Sequence, residues 1–248
     1  MGTTLTFITS SCWKKNWRGS KSMKRVVVEE LLDSDAGTPA EVAGSIKDLR
    51  MFNSLFGGVH TMSSLLRRVA QQRGLKQISW VDVAGGEGYV ATRTKQSLAR
   101  SGISAQPVIL DRAPTHLSNN HPAVCGDALA LPFRDNSFDA VGCSLFMHHL
   151  ESADIVRFAR EGLRVARHAF LVQDLQRHPL HLALSYLGAP LYLSRITRHD
   201  APASVARAYT VEEVRKILAP VAPAENIEIR KFFLFRMGVI VWKQPSTT

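Results

Sequence analysis

Short apolar runs alternate with amphipathic stretches along most of the chain, and this alternation predicts strands separated by helices. The first strand is predicted at residues 78–83, ISWVDV, where apolar and β-branched side chains dominate. Further strands are predicted at residues 107–111, 123–127, 138–145 and 169–172, with a final β-hairpin at 226–233 and 237–242. This order is typical of an α/β fold in which helices cover both faces of a mostly parallel sheet.

Several helices have recognisable ends. The sequence TPAE at residues 38–41 is a capping box with proline at the first helical position, which predicts a helix over 39–56. A second helix is predicted over 59–72 and a third over 152–165. A further capping box at residues 210–213 begins a helix near the carboxyl terminus.

Residues 29–75 are expected to form a helical lid over the site, ahead of the main domain at residues 76–248. In that position Arg50, Asn53 and the turn at 56–58 would reach a bound ligand. The alternative is a helix pair that only covers an edge of the sheet. The sequence does not distinguish these two arrangements.

Positive charge is concentrated at the amino terminus. Six basic residues precede Glu29, the first acid, and without them the net charge falls from +10 to +4 because 25 basic and 21 acidic residues remain. Residues 1–28 are therefore predicted to form a disordered basic tail, although VVVEELLD at 26–33 has a helical pattern. The rest of the chain lacks a basic stripe interleaved with aromatic residues, so nucleic acid is not an expected partner.

Two further classes of protein are disfavoured by composition. No apolar run approaches the ~20 residues of a membrane span, so no integral membrane segment is expected. The three cysteines, Cys12, Cys125 and Cys143, lack metal-ligand spacing and cannot all pair with one another. A reducing, cytoplasmic location is therefore expected.

A cluster of small residues follows the first strand and precedes a stretch of helical composition: Ala84, Gly85, Gly86 and Gly88. Small residues let a ligand approach the backbone, and the N–H groups at a helix start point towards it. The spacing Gly86-x-Gly88-x-x-Ala91 fits the loose fingerprint of a dinucleotide site. This pattern by itself predicts a nucleoside ligand without naming it.

The loop spacing allows two nucleoside ligands, a nicotinamide dinucleotide and S-adenosylmethionine, and the charge of nearby residues favours the second. Asp82 ends the first strand and Glu87 lies in the turn, and two carboxylates would repel a pyrophosphate. They would attract the ammonium and sulfonium groups of S-adenosylmethionine. We therefore predict S-adenosylmethionine as the cofactor, with a nicotinamide dinucleotide as the alternative.

The next two strands also end in acids, Asp111 and Asp127. In an open α/β sheet, ligands bind beyond the carboxyl ends of the strands. Asp111 is predicted to accept the ribose hydroxyls, and Asp127 is predicted to accept from the adenine amino group. The alternative at either position is an ordinary acid in a surface turn.

The segments VDVAGGEG, PVILD and GDALALPFRDNSFDAVGCSLFMHHL, in this order, resemble the class I S-adenosylmethionine-dependent methyltransferases of the type-11 branch, which includes the ubiquinone and menaquinone methyltransferases. The resemblance implies a three-layer, Rossmann-like fold whose seven-stranded sheet has an antiparallel last strand. It also implies cofactor contacts from the loop of residues 84–88, from Asp111 with Arg112 and from Asp127 with Ala128. Ala84 departs from the glycine that is more usual in the family.

Polar residues follow the fourth predicted strand, where the family places the methyl-transfer site. Ser144 and Leu145 are therefore expected to contact the cofactor, and His148 and His149 are candidate bases. Histidine suits this work because its pKa is near neutrality. No metal site is predicted, on the argument that adjacent histidines point apart and have no carboxylate at ligand spacing.

The segment at about 176–209 is predicted to be an insertion that caps the acceptor site. Its first half is strongly apolar and contains Leu180, Leu184, Leu187, Leu191 and Tyr192. Its second half contains Arg198, His199 and Asp200, and His199 is the third candidate for acid–base work. An apolar wall suits an aromatic or prenylated acceptor. The alternatives are a dimer interface and an ordinary packed helix pair.

These features together predict a methyltransferase that acts on oxygen or carbon of a hydrophobic phenol, quinol or polyketide-like acceptor. A nicotinamide-dependent oxidoreductase is the rival among enzymes, and the terminal hairpin disfavours it. A non-catalytic binding protein on the same fold is the rival from another class.

Overall fold

The computed structural model of the chain describes residues 23–34, 36–118 and 120–244. Its centre is a seven-stranded sheet with the order β3-β2-β1-β4-β5-β7-β6. The strands are β1 (Gln77–Val83), β2 (Ser104–Asp111), β3 (Ala123–Cys125), β4 (Phe138–Ser144), β5 (Ala166–Leu175), β6 (Ile227–Phe232) and β7 (Arg236–Trp242). β7 is antiparallel to both of its neighbours, and the other pairs are parallel. The predicted fold class is confirmed.

Seven α-helices are present in the described residues: α1 (Pro39–Leu55), α2 (Gly58–Arg73), α3 (Tyr89–Ala99), α4 (Ser152–Val165), α5 (Pro179–Leu187), α6 (Arg195–Arg207) and α7 (Val211–Leu218). Both predicted capping boxes exist, at the starts of α1 and α7. Each satisfies backbone N–H groups that the first helical turn leaves without partners. These side-chain contacts fix where the two helices begin.

The helices lie on the two faces of the sheet, and successive strand residues serve opposite faces. Trp80 packs in the core beneath α2 and α3, whereas its neighbour Val81 packs in the core beneath α4 and α7. The same alternation separates Leu171 from Phe170 and Val172. Strand side chains point alternately up and down, so a strand covered on both faces must be apolar at nearly every position.

The parallel strands end at one edge of the sheet, and this edge carries the predicted site. Asp82 pairs in register with Ile109 of β2 and Gly142 of β4. On the next strand, Ser144 pairs with Gln173 of β5. The glycine loop, Asp111, Ser144 and the histidines therefore all follow the carboxyl ends of neighbouring strands.

The amino-terminal segment differs from its prediction. Residues 1–22 lie outside the described residues, but residues 23–31 lie against the domain without regular secondary structure rather than being disordered or helical, and a 3₁₀ turn follows at Leu32–Ser34. Arg25 donates to the Arg207 carbonyl oxygen at 2.8 Å and lies 4.3 Å from the centre of the Tyr209 ring. The helical pattern at 26–33 is overridden because tertiary contacts supply partners that a short helix would lack.

The predicted insertion consists of α5, a 3₁₀ turn (Ala189–Leu191) and α6. Leu187 and Leu191 are 75% and 77% exposed, so these leucines face solvent. Tyr192 is buried, and its hydroxyl donates to the Ser185 carbonyl oxygen at 2.7 Å. Within the described ranges, none of the helices has both the length and the apolar character that a bilayer span requires.

Candidate active site

The loop between β1 and α3 turns sharply at its small residues. Ala84, Gly86 and Gly88 have φ angles of 55°, 52° and 78°. This left-handed region costs an L-residue about 1–2 kcal/mol, but glycine enters it freely. Ala84 bears that cost, which gives a physical reason for the family's usual glycine at this position. The Gly88 N–H donates to the Gly85 carbonyl oxygen at 2.9 Å and closes the turn.

One side of this loop is open. A Cβ atom added to Gly86 would meet no atom within 4 Å, whereas one added to Gly85 would lie 3.0 Å from the Asp82 carbonyl oxygen. Gly85 is therefore packed against the sheet, and the backbone of Gly86 is accessible from outside. A ligand can approach the chain at Gly86 as closely as the glycine allows.

Asp82 is buried without a compensating partner. Its side chain is 1% exposed, and neither carboxylate oxygen has a hydrogen-bond partner in the described residues. Burial, with a smaller contribution from the charge of Asp111, raises the pKa of Asp82 to about 7. A bound cation would favour its ionised form. This acid is thus suited to hold an ammonium group.

Asp111 joins the end of β2 to the loop. Its Oδ2 atom accepts the Gly86 N–H at 3.0 Å, and its Oδ1 atom accepts the Ala113 N–H at 3.0 Å. A carboxylate has about four acceptor positions, so two of them remain for a ligand such as a pair of ribose hydroxyls. The geometry places Asp111 beside the glycine loop, where a nucleoside ligand would need it.

The other predicted cofactor contacts have more varied surroundings. Arg112 is exposed, and Asp127 forms a surface turn in which Oδ1 accepts the Leu129 N–H at 2.9 Å. Ala128 is buried, and Leu145 has a left-handed φ of 55°. The Ser144 hydroxyl is buried and has no hydrogen-bond partner among the described residues. Cofactor contact stays a prediction for all of these residues.

Helix α1 contacts the glycine loop through charge. Arg50 on α1 forms an ion pair with Glu87, and the Ser54 hydroxyl lies 2.6 Å from the Tyr89 hydroxyl. Arg50 therefore neutralises the charge of Glu87. The prediction that Glu87 repels a pyrophosphate is wrong, because α1 supplies this cation. Only Asp82 remains as an unpaired acid for that argument.

His148 is held by the end of β5. Its Nδ1 atom lies 2.6 Å from Asp174 Oδ1, and Asp174 Oδ2 accepts its backbone N–H at 3.0 Å. Burial lowers the pKa of His148, but Asp174 and Glu30 outweigh burial and raise this pKa to about 10. The ring is thus fixed in one orientation, with Nε2 facing Glu30.

His149 is arranged in the same way as its neighbour. Its Nδ1 atom lies 3.0 Å from Asp33 Oδ2, and its Nε2 atom lies 3.9 Å from Glu30 Oε1. The corresponding distance from His148 Nε2 to Glu30 Oε1 is 3.5 Å. The two imidazole centres are 4.3 Å apart. Both ring nitrogens therefore face one carboxylate oxygen.

This geometry overturns our reason for predicting no metal. The adjacent histidines do not point apart, because one Glu30 carboxylate oxygen lies within 4 Å of both Nε2 atoms. The spacing of residues along the sequence did not predict Glu30 as a ligand, because the fold brings it to the histidines from a distant part of the chain. The pattern of residues around 148–149 contains no signal for it.

His199 is not part of this cluster. Its Nδ1 atom lies 2.8 Å from Asp200 Oδ1 on α6. Asp200 in turn accepts the backbone N–H groups of Leu31 and Leu32 at 2.9 and 3.0 Å. His199 and Asp200 therefore belong to the contact that fixes the amino-terminal segment.

Three site residues were missed from the sequence. Glu30 and Asp33 were assigned to the lid without a role, and Asp174 lies two residues beyond the strand predicted at 169–172 and was given no role. Asp174 does have a signal, because it is the last residue but one of β5, as Asp82 is of β1, and Asp111 is the last residue of β2. Ligands bind beyond the carboxyl ends of parallel strands, so the position of Asp174 close to such an end is itself a signal for a site residue.

The sheet order, the antiparallel β7 and the open glycine loop define a Rossmann-like methyltransferase fold. Residues 81–169 match a family model described as a methyltransferase domain. This match confirms the predicted resemblance to the S-adenosylmethionine-dependent methyltransferases of the type-11 branch over that stretch of the chain. S-adenosylmethionine is its cofactor, and the unpaired Asp82, the open backbone at Gly86 and Asp111 fit that molecule.

Solved structures of the same fold are similar over most of the chain. The plantazolicin methyltransferase BpumL, in complex with a pentazolic desmethylPZN analogue and S-adenosylhomocysteine, has a TM-score of 0.65 at 11% identity, covering 86% of this chain and 94% of that one. An S-adenosylmethionine-dependent methyltransferase from Aquifex aeolicus has a TM-score of 0.53 at 16% identity, with 81% and 97% covered. A methyltransferase structure from Methanococcus maripaludis has a TM-score of 0.53 at 12% identity, with 90% and 99% covered. No curated protein sequence matches this chain.

Proposed function

We propose that this methyltransferase acts on oxygen or carbon of a hydrophobic small molecule with an acidic hydroxyl, of the phenol, quinol or polyketide type. The observation that carries this proposal is the buried Asp174–His148 pair at the ends of β4 and β5, next to the apolar insertion. A fixed imidazole suits an acceptor whose oxygen exchanges a proton, and solvent-facing leucines suit an apolar body.

The cofactor half of the site is proposed to work through backbone and acids. Asp82 would hold the ammonium end, Asp111 the ribose hydroxyls, and Ser144 with Leu145 the region of the sulfur. When bound, the cofactor supplies an activated methyl group with a good leaving group. The residues around it lower the barrier mainly by keeping acceptor, methyl and sulfur in line.

The acceptor half is proposed to control the acceptor's proton. Asp174 occupies Nδ1 of His148, which leaves Nε2 as the atom that faces an incoming hydroxyl. An acceptor hydroxyl that displaces Glu30 would remove one of the two carboxylates that raise the pKa of His148, and the ring, once it has released its own Nε2 proton, would accept the hydroxyl proton at that nitrogen. His149 is a second candidate for the same work. His199 is better placed to position the amino-terminal segment.

The leucines of the insertion support an apolar acceptor. Leu180, Leu184, Leu187 and Leu191 are all exposed, although burial would be favourable by about 1.5–3 kcal/mol for each complete side chain. Clustered exposed apolar groups usually mark a binding surface. We propose that they receive the aromatic or prenyl part of the acceptor.

The test is turnover with labelled S-adenosylmethionine against matched acceptors. One series contains phenols and quinols with increasing alkyl or prenyl length, and the other contains amino acids, sugars and RNA. We expect methylated products in the first series, with kcat/KM rising with the length of the alkyl or prenyl chain. Acceptor-free samples measure automethylation, which is subtracted. Turnover confined to the polar series would overturn the proposal.

A set of histidine variants tests the assignment within the site. His148→Asn is expected to lower kcat by about 10²–10⁴-fold, the usual effect of removing a general acid–base group. His199→Asn serves as the matched control, and calorimetry with S-adenosylhomocysteine checks that both variants still bind the cofactor product. Equal losses in the two variants would contradict the role of His148.

A further inference from the structure

The two histidines and Glu30 have an arrangement that methyl transfer does not require. Glu30 Oε1 and His148 Nε2 are buried and have no hydrogen-bond partner among the described residues. They lie 3.5 Å apart, beyond the usual range of a hydrogen bond. His149 Nε2 faces the same oxygen from 3.9 Å. Three potential ligand atoms thus converge on one point without satisfying each other.

The distances between these atoms suit a shared metal ion. The three atoms lie within 4.8 Å of one another. Zinc bonds of about 2.0–2.2 Å to nitrogen and oxygen place neighbouring ligands of a tetrahedral site roughly 3.3 Å apart. The two distances from Glu30 Oε1, 3.5 Å to His148 Nε2 and 3.9 Å to His149 Nε2, exceed this value by well under 1 Å, so an inward movement of the three side chains would complete the set.

The outer contacts of both rings are those of metal-binding histidines. Asp174 is 2.6 Å from Nδ1 of His148, and Asp33 is 3.0 Å from Nδ1 of His149. A histidine that binds a metal through one nitrogen usually donates the other N–H to a carboxylate, which fixes its orientation. Here each of two adjacent rings has such a carboxylate. A simple buried ion pair would need only one.

We propose that Glu30, His148 and His149 form a binding site for one divalent transition-metal ion of the zinc type. Three protein ligands leave at least one coordination position for water or an acceptor oxygen. His149 is partly exposed, which provides a path of entry. The ion would use Nε2 of His148, so ion binding and proton transfer at that atom exclude each other. Metal binding needs no acceptor, so it can be tested without reference to the proposed acceptor.

The experiment measures metal binding by the full chain, without turnover. Chelator-treated protein with Cys12 and Cys125 replaced by serine is titrated with zinc chloride by calorimetry at mildly alkaline pH, because zinc must displace a proton from His148 Nε2 and a higher pH favours that displacement. We expect one equivalent of zinc per chain. Cobalt(II) is then substituted, and its visible absorption reports the geometry of the bound ion.

Matched variants locate the site. Glu30→Gln is expected to weaken zinc binding by at least tenfold, whereas Glu29→Gln, at the exposed neighbouring acid, leaves it unchanged. Asp33→Asn is expected to weaken binding by about 10–100-fold, as removal of an outer carboxylate does. His149→Asn gives a second test at a partly exposed position if Glu30→Gln does not fold. Circular dichroism checks folding in each case.

Two results would overturn the proposal. One is the absence of a stoichiometric zinc or cobalt site in the chelator-treated protein. The other is unchanged zinc affinity in both Glu30→Gln and His149→Asn. Either result would identify the cluster as a buried imidazolium balanced by Asp174 and Glu30 alone.

Discussion

The two halves of the proposed site, one for the cofactor and one for the acceptor, are built differently. The cofactor half is one continuous stretch, β1, the glycine loop and α3, with Asp111 added from the next strand. Its key acid, Asp82, has no partner in the described residues and is ready for a cation. The acceptor half is assembled from the amino-terminal segment, the turn after β4, the end of β5 and α6. Its charged groups already contact one another.

The two halves therefore differ in how their buried charges are balanced before a ligand binds. In the cofactor half, a buried acid is left unpaired, and a bound cation would offset the unfavourable desolvation of its carboxylate. In the acceptor half, charges compensate each other, so the protein is stable but an acceptor must compete with Glu30. We therefore expect changes in the acceptor half to affect folding most, and changes in the cofactor half to affect binding.

The largest expected effect is on folding and comes from Asp174→Ala. This change leaves His148 buried without its counter-charge and removes acceptors for the His148 and Leu175 N–H groups. Breaking a buried pair in this way costs about 3–5 kcal/mol. Urea unfolding is the measurement. Asp154→Asn, at a surface ion pair on α4, should change the free energy of unfolding by less than about 0.5 kcal/mol. If both variants lowered the free energy of unfolding by a similarly small amount, the charged groups of the acceptor half would not be a source of stability.

Asp111→Ala should mainly affect binding. Loss of the acceptors for the ribose hydroxyls is expected to weaken S-adenosylhomocysteine binding by about 1–3 kcal/mol. Calorimetry measures this, with Asp135→Ala, at an exposed acid paired with Arg164, as the control. If affinity is unchanged, the assignment of Asp111 to the cofactor is wrong.

The pH dependence of binding tests Asp82. Because its pKa is raised to about 7 in the free protein, Asp82 is largely protonated below that pH and ionised above it. An ammonium ligand binds the ionised form better, so affinity should rise by up to roughly tenfold per pH unit below the pKa and level off above it. Binding should also release a proton near neutral pH.

The same raised pKa fixes the sign for stability. The unfolded chain ionises Asp82 at a lower pH than the folded chain does, so this group makes the free protein less stable as pH rises towards about 7. Asp82→Asn should bind more weakly and lose this part of the pH profile. A profile identical to that of the unsubstituted protein would show that Asp82 does not hold the ligand's cation.

The smallest effect is expected from Leu187→Ser in the insertion. The side chain is exposed, so the free energy of unfolding should change by less than about 0.5 kcal/mol. If Leu187 covers part of the acceptor, KM for a hydrophobic acceptor should rise by up to about tenfold, the equivalent of partial burial of a leucine. Leu55→Ser, at an exposed leucine outside the insertion, is the control. Equal KM values in both variants would leave the insertion without a role in acceptor binding.

The sequence by itself determined the fold class, the strands, the capped helices and the glycine loop with Asp82 and Asp111. These features are local: the period of apolar residues, a capping box or a strand followed by small residues is visible within a short window. The acids at the strand ends could be placed together because parallel strands end at one edge.

Only the tertiary structure decided what these groups contact. It pairs Glu87 with Arg50, brings Glu30 and Asp33 to the histidine pair, and holds residues 23–31 against the domain. None of these contacts has a signal in sequence spacing, because each joins segments that are far apart along the chain. Which charges neutralise each other depends on packing between distant elements, and hence the chemistry of the acceptor half became visible only in the folded chain.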